Sequence, residues 1–269
     1  MGPGYPSEPD ISDWVAPLQG LTPFPDLPAL TGQHLFEVAK LVSRHKAAGA
    51  DGISYAEMRD WPLAIFDDLA DVLGMVERLG RWPAAAGPNL VCMLPKGGTA
   101  APDDRRPIVL LSCIYRLWAA LRAATVRQWL RDNGILLPGE ACGPDVKAGE
   151  TALALAAARL LDGAMGGLAV DWSKCYDRLP LEAMRAVAER ARMPQALVGP
   201  MLQAYGLPRR VRADGLAGDL LDPTCGLAPG CSAATHWLAL FTLCWSAPVE
   251  AIAPTIRTRK YVDDMLAAD

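Results

Sequence analysis

The sequence predicts an α+β fold. Amphipathic helical patterns and short apolar runs follow one another along the chain without a regular alternation of strand and helix. The first strand-like run, 89–94, is not followed by a GxGxxG fingerprint, which argues against a doubly wound nucleotide-binding sheet. Apolar residues make up 51% of the 269 residues and charged residues 21%, which is typical of a globular protein with ample core.

The N-terminal part predicts a tail followed by two helices. Residues 1–30 are rich in Pro, Gly and Ser and show no sustained period, so we expect a flexible N-terminal tail. Apolar residues at helical spacing predict helices over about 33–47 and about 62–80, with Pro62 in the first turn of the second. The turn AGADGIS at 48–54 separates them.

The middle of the chain predicts a hairpin and two helices. The apolar runs NLVCML (89–94) and RPIVLL (106–111), joined by a polar link, are typical of a hairpin with a long loop. A helix is predicted over about 113–132 and an Ala-rich helix over about 147–163.

The second half predicts a strand that ends in an aspartate and, at the far end, a hairpin. GGLAVDW (166–172) alternates so that Ala169 and Asp171 share one face. The hairpin carries YVDD at 261–264, and Asp residues favour turns. Between them the patterns predict helices over about 180–192, 195–205 and 231–246, and a strand pair within 207–222.

Charge and cysteine content restrict the class of protein. The net charge of −4 gives no global basic field that would indicate nucleic-acid binding. The seven cysteines form no CxxC pair and there are three histidines, so no zinc pattern is present. With no basic-then-apolar signal segment, we expect reduced thiols in an intracellular compartment, with nucleus and cytoplasm undistinguished. The uncharged stretch from Pro223 to Val249 contains CGLAPGCS and His236, so we expect a buried core helix and no membrane partner.

A local excess of positive charge lies between Lys96 and Asp132. Seven Lys or Arg and three Asp fall there, and Arg116, Arg127 and Arg131 share one side of the predicted helix. This stripe is compatible with contacts to a nucleic-acid backbone, and equally with a solvated helix face. The loop charges Asp103, Asp104 and Arg105 are expected to be solvated.

Three aspartates are candidates for a metal site. Asp171 ends an apolar strand, and Asp263 and Asp264 follow another apolar stretch, so two strands of one sheet would bring them together. Converging carboxylates can hold two divalent cations in the arrangement that serves phosphoryl displacement. Solvated aspartates on a turn, and a turn-capping role for Asp171, remain open on these residues alone.

The order of the motifs resembles the reverse-transcriptase family. AVDWSKCYD (169–177), GLAPGCSAAT (226–235) and YVDD stand in the order of its first palm block, its Gly-rich block and its catalytic hairpin. AGADGIS and LPKGG…RRPI resemble its two upstream blocks, so the resemblance covers nearly the whole chain from about residue 48, and it is closest to polymerases of non-LTR retrotransposons.

The resemblance implies a right-hand polymerase fingers–palm fold, with packed helices and an incomplete palm sheet. It would end after the YVDD hairpin, without a thumb. The implied division is fingers at 31–112 and 180–229, and palm at 113–179 and 230–269.

The resemblance also implies a role for each matching residue. Asp171, Asp263 and Asp264 would be the catalytic acids and, with the backbone carbonyl of Trp172, the ligands of Mg²⁺, with Mn²⁺ as the alternative ion. The nucleotide-binding residues would be Lys96, Arg106, Trp172, Tyr176 and Gly230. Lys96 and Arg106 would contact the triphosphate, and Tyr176 would exclude a 2′-hydroxyl by its bulk. Gly230 would let the backbone approach the base and the template.

The Gly-rich block departs from the family pattern. Pro229 stands where a glutamine is usual and Ala228 where a proline is usual. A glutamine side chain can donate and accept hydrogen bonds at the nucleotide, whereas the side chain of proline can do neither.

The expected activity is RNA-directed DNA polymerisation. Its partners would be an RNA template, a DNA primer, dNTPs and further polymerase segments in a longer relative. An inactive remnant, a non-catalytic RNA-binding module and an RNA-templated RNA polymerase are the alternatives. Tyr261 and Tyr176 argue against the last.

Overall fold

The computed structural model describes residues 13–95, 105–136, 157, 161, 163, 167–261 and 264–268. Within them the chain forms eight α-helices, two short 3-10 helices and seven β-strands. The helices are α1 (Gly32–Leu41), α2 (Tyr55–Met58), α3 (Leu63–Leu79), α4 (Cys113–Asp132), α5 (Cys175–Arg178), α6 (Leu181–Arg190), α7 (Gln195–Gly206) and α8 (Ala234–Ile252), with 3-10 turns at Ala16–Gly20 and Ala84–Ala86. The strands are β1 (Asn89–Pro95), β2 (Arg105–Leu110), β3 (Gly167–Asp171), β4 (Arg209–Ala213), β5 (Leu216–Leu221), β6 (Arg257–Tyr261) and β7 (Asp264–Ala268).

The strands form two separate sheets. The larger has the order β2-β1-β4-β5 and is mixed, because β1 runs parallel to β4 while the other neighbours are antiparallel. The smaller has the order β3-β7-β6 and is antiparallel throughout. Helices together with a mixed and an antiparallel sheet agree with the predicted α+β class.

The core is built mainly from α4, α7 and α8. Trp118, Tyr205 and Phe241 are among the largest fully buried side chains, one from each of these helices. Helix α4 occupies the predicted range, and Ser112 caps it by accepting from the backbone amides of Ile114 and Tyr115. None of the helices within the described residues is long and apolar enough to cross a membrane.

Residues 13–30 pack against this core, contrary to the expectation of a flexible tail at 1–30. Leu18 is fully buried, and the ring of Trp14 lies 5.3 Å from that of Phe241. The segment lacks a repeating pattern because it crosses the core as a 3-10 turn and extended chain, so periodicity cannot reveal its contacts. Residues 1–12 lie outside the described part.

Several helix ends differ from the prediction. Helix α1 ends at Leu41 rather than near 47. The guanidinium of Arg59 donates hydrogen bonds to the carbonyls of Lys40 and Val42 and so satisfies these acceptors at the end of the helix. The short α2 was not expected, although Ser54 and Glu57 form the capping box that starts it. Helix α8 begins three residues later than predicted and continues to Ile252. The helix predicted over 147–163 falls largely outside the described residues.

Candidate functional site

The strand register brings two of the predicted acids together. Asp171, the last residue of β3, is the cross-strand partner of Asp264, the first residue of β7. Asp264 is in turn paired with Tyr261, so the three residues form one row across the small sheet. Paired Cα atoms in antiparallel strands lie about 4.5–5.5 Å apart, so the sheet holds Asp171 and Asp264 as near neighbours.

The third predicted acid, Asp263, lies outside the described residues. With Val262 it joins the paired residues Tyr261 and Asp264. Asp264 belongs to strand β7 and so lies beyond the turn on which the sequence placed both acids. In the described part of the chain no group of three or more His, Cys, Asp or Glu side chains could hold a metal ion. The predicted set includes Asp263, and its convergence therefore stays a prediction.

The side chain of Asp171 is exposed, and the described residues provide it with no hydrogen bond or ion pair. A carboxylate with no protein partner keeps all its acceptor sites for solvent or a cation. Carboxylate oxygens are the ligands that Mg²⁺ prefers in proteins, so the donor chemistry at Asp171 fits the implied ion.

The segment after Asp171 lies against the Gly-rich loop, which is the part of the Gly-rich block that precedes α8 (226–233). The backbone amide of Leu227 donates to the carbonyl of Tyr176 at 2.7 Å, and that of Gly226 donates to the carbonyl of Leu179 at 2.8 Å. Two motifs that are about fifty positions apart in the chain are therefore held as neighbours by main-chain hydrogen bonds.

Trp172 and Tyr176 are half-buried and pack against the core. The carbonyl of Trp172 accepts from the amide of Cys175 at 3.0 Å, and its second lone pair is available for another partner. Between them Lys174 adopts a left-handed conformation with φ of 54°, which is uncommon for a residue other than glycine. This turn starts α5 directly after the strand that carries Asp171.

Gly230 lies at an exposed turn with φ of 94°. A Cβ added there would meet no heavy atom within 4 Å, so glycine is favoured by the backbone conformation and not by crowding. The open space next to this backbone is compatible with the close approach of a ligand.

Cys231 fixes the Gly-rich loop to the core through its side chain. Its buried thiol lies 3.2 Å from the hydroxyl of Tyr205 and 3.3 Å from that of Tyr115. Burial, together with the neighbouring thiol, raises the pKa of both tyrosines well above the usual value. Sequence patterns did not identify this trio, because its members come from α4, α7 and a loop and share no periodicity.

The predicted triphosphate cations are described only in part. Arg106 is exposed in β2, paired with Leu94, while Lys96 lies outside the described residues. Arg105, expected to be a solvated loop charge, instead forms two hydrogen bonds to the carboxylate of Asp214 at 2.7 and 3.2 Å. Its side chain is only 12% exposed, because the fold brings the start of β2 to the turn between β4 and β5.

Two arginines of the predicted basic stripe form hydrogen bonds to other parts of the fold. Arg122 is buried and binds the carboxylate of Glu77 at 2.6 and 2.7 Å and the carbonyl of Pro28 at 2.7 Å. Arg116 donates to the carbonyl of Ala47 and the thiol of Cys113. Neither is a solvated charge or available for a phosphate backbone.

His236 is a buried titratable group on α8. Its Nδ1 lies 3.0 Å from the carbonyl of Ser232, which favours the tautomer with the proton on Nδ1. Burial, aided by the nearby guanidinium of Arg127, lowers its pKa to about 4. The ring is therefore neutral at physiological pH.

Neither a scan against models of known protein families nor a search among curated proteins found a match for this chain.

Proposed function

We propose that the chain is the fingers–palm part of an RNA-directed DNA polymerase of the non-LTR retroelement type. The observation that carries the proposal is the pairing of Asp171 with Asp264 across β3 and β7, with Asp263 next in the chain. The adjacency of the segment after Asp171 and the Gly-rich loop supports it, because a nucleotidyl-transfer site needs acids and a nucleotide-binding wall side by side.

The acids of this site would bind the ions. Asp171, Asp263 and Asp264, with the carbonyl of Trp172, would hold Mg²⁺, or Mn²⁺ in its place. The lack of a partner for the Asp171 carboxylate among the described residues favours this role. When bound, two such ions lower the pKa of a primer 3′-hydroxyl and neutralise charge on the phosphates.

The other residues would bind and select the nucleotide. Arg106, exposed near the start of β2, and Lys96 would neutralise the triphosphate, since phosphoryl transfer depends mainly on positioning and charge. The bulk of Tyr176 beneath the sugar would exclude a 2′-hydroxyl and so select dNTPs over rNTPs. The open backbone at Gly230 would allow the template base pair to approach.

Pro229 would change the surface that the Gly-rich loop presents to the nucleotide. It is half-buried beside Gly230 and has neither a backbone N–H nor a polar side chain to offer. The chain would therefore bind the nucleotide at this wall through shape and not through hydrogen bonds.

The direct test is primer extension. A DNA primer on an RNA template is incubated with dNTPs and Mg²⁺, with the Asp263→Asn protein in parallel. Extension by the original chain and none by the variant would support the proposal. RNA binding without extension, unaffected by Mg²⁺ and by Asp263→Asn, would favour a non-catalytic RNA-binding module instead. Loss of both activities would indicate an inactive remnant.

A further inference from the structure

Helix α3 has more apolar surface than the fold covers. It packs on α1 and α7, and its buried residues are Phe66, Ala70, Leu73 and Val76. A second apolar set on another side of the helix is between 43% and 61% exposed: Ile65, Val72, Met75 and Leu79. We call these four residues the outer stripe. A helix with apolar residues on two sides is typical of one that has a further packing partner.

The outer stripe has the spacing of a helix–helix interface. Ile65, Val72 and Leu79 are seven residues apart, so they lie within about 40° of one another and extend over about 21 Å of the helix. Met75 follows Val72 by three residues and lies beside them. Apolar residues at alternating spacings of three and four are those through which two helices pack along their length.

The outer stripe borders an apolar groove at one end. This groove has a volume of about 840 Å³ and separates the C-terminal half of α3 from the larger sheet. Its lining includes Val72, Met75, Leu79, Trp82, Leu207 and Leu220. Ile65, at the other end of the stripe, is exposed and does not line the groove. The stripe therefore has a projecting side chain at one end and a recess at the other, and these fit each other when two copies of the helix run antiparallel.

The charges beside the outer stripe are also divided between the two ends. Asp68 and Asp71 lie in the N-terminal half of α3, whereas Arg78 and Arg81 lie at its C-terminal end. All four are exposed, and none has a hydrogen bond or ion pair within the described residues. A parallel pair of α3 helices would set acids against acids, whereas an antiparallel pair sets acids against arginines. Antiparallel pairing also places opposite ends of the two helix dipoles together.

A two-fold axis at Val72 brings these parts into register. Val72 then meets its own counterpart, and Ile65 lies opposite Leu79 of the second copy, beside the groove. At 1.5 Å per residue, Arg78 of the second copy lies within about 3 Å of Asp68 and about 8 Å of Asp71 along the helix axis. The surface is thus complementary to itself in shape and in charge, as a two-fold interface requires.

We propose that the outer stripe and the adjoining groove bind a second copy of this chain, as an antiparallel pair of α3 helices in a symmetric dimer. One helix face and the edge of a groove make an interface at the low end of the usual size, so we expect a Kd on the order of micromolar. The dimer does not depend on the polymerase activity proposed above.

The first test is sedimentation velocity of the full chain over concentrations that bracket this Kd. Val72→Glu sets two like charges against each other on the two-fold axis and should raise the Kd at least about a hundredfold. Ile252→Glu makes the same kind of change at an exposed position at the end of α8 and should leave the Kd nearly unchanged. Unfolding curves of both variants check that the fold is retained.

The second test reverses the charges at each end of the stripe. Arg78→Glu with Arg81→Glu makes both ends acidic, and Asp68→Lys with Asp71→Lys makes both ends basic. Each double variant alone should associate about tenfold more weakly, and an equimolar mixture should form a mixed dimer with about the original Kd. A structural defect in either variant could not produce this recovery.

Several results would overturn the proposal. A chain that stays monomeric at every concentration would show that the outer stripe does not bind a second copy. A dimer that Val72→Glu leaves intact, or that Ile252→Glu weakens equally, would place the interface elsewhere. A mixture that associates no better than the separate charge variants would rule out the antiparallel register. Because the readout is mass and not primer extension, failure of the dimer and failure of the proposed function are distinguishable.

Discussion

The amide of Leu227 donates to the carbonyl of Tyr176 at 2.7 Å, across 51 positions of sequence. This bond joins the Gly-rich loop to α5, the short helix that follows the strand ending in Asp171. It places the proposed sugar gate and the proposed nucleotide wall next to one another, so substitutions on either side are expected to affect nucleotide binding.

Asp171→Asn should lower the rate of Mg²⁺-dependent primer extension at least about a hundredfold, because it removes one of the proposed metal-binding carboxylates from the row that contains Asp264. Single-turnover extension measures this rate. Asp222→Asn, at an exposed position after β5, is the matched control and should retain activity. Equal activity of the two variants would contradict the role given to Asp171.

Tyr176→Ala should relax the choice of sugar. Removing the ring opens space for a 2′-hydroxyl, so kcat/KM for rNTPs relative to dNTPs should rise about tenfold or more. Tyr176→Phe keeps the bulk and should keep the ratio. A ratio that stays constant in the alanine variant would mean that another residue selects the sugar.

Cys231→Ala should destabilise the fold by about 1–3 kcal/mol, because the hydroxyl of Tyr205 loses its acceptor inside the core. Urea unfolding measures the change. Cys244 is also buried, but its thiol donates to the carbonyl of Leu240 within its own helix. Cys244→Ala therefore leaves the hydrogen bond between Tyr205 and Cys231 in place. It should therefore cost less, and an equal cost would argue against the anchoring role of Cys231.

Glu77→Ala should lower the free energy of unfolding by about 3–5 kcal/mol, since it leaves the buried guanidinium of Arg122 without a counter-charge. The indole of Trp118 also loses its acceptor. Chemical denaturation of Glu182→Ala gives the comparison, because its pair with Arg185 is exposed and should contribute at most about 1 kcal/mol.

His236 should make stability depend on pH. Its pKa of about 4 in the fold lies below the usual 6.5, so the unfolded chain binds the extra proton first as the pH falls. Stability is therefore lost between about pH 6.5 and 4, by up to about 3 kcal/mol from this group. The difference in unfolding free energy between pH 7 and 4.5 should shrink in His236→Gln, and an unchanged difference would exclude His236 as its source.

Much of the fold follows from local pattern. Helix α4 occupies the range that its apolar spacing predicts, and the strand that ends in Asp171 occurs where Val170 and Leu168 alternate with smaller residues. The packing of Leu18 was missed, since a non-repeating segment has no period to interpret. The end of α1 also differs from the prediction, because Arg59, which lies outside the helix, donates hydrogen bonds to the carbonyls at its end.

The sequence by itself determined the α+β class, the positions of most helices and strands, and the candidate acids, because these depend on residue type and short-range spacing. Only the tertiary structure decided that Asp171 pairs with Asp264 and that Arg105 binds the carboxylate of Asp214, while Arg106 is exposed. Such choices depend on strand register and on contacts between residues far apart in the chain, and local periodicity does not contain that information.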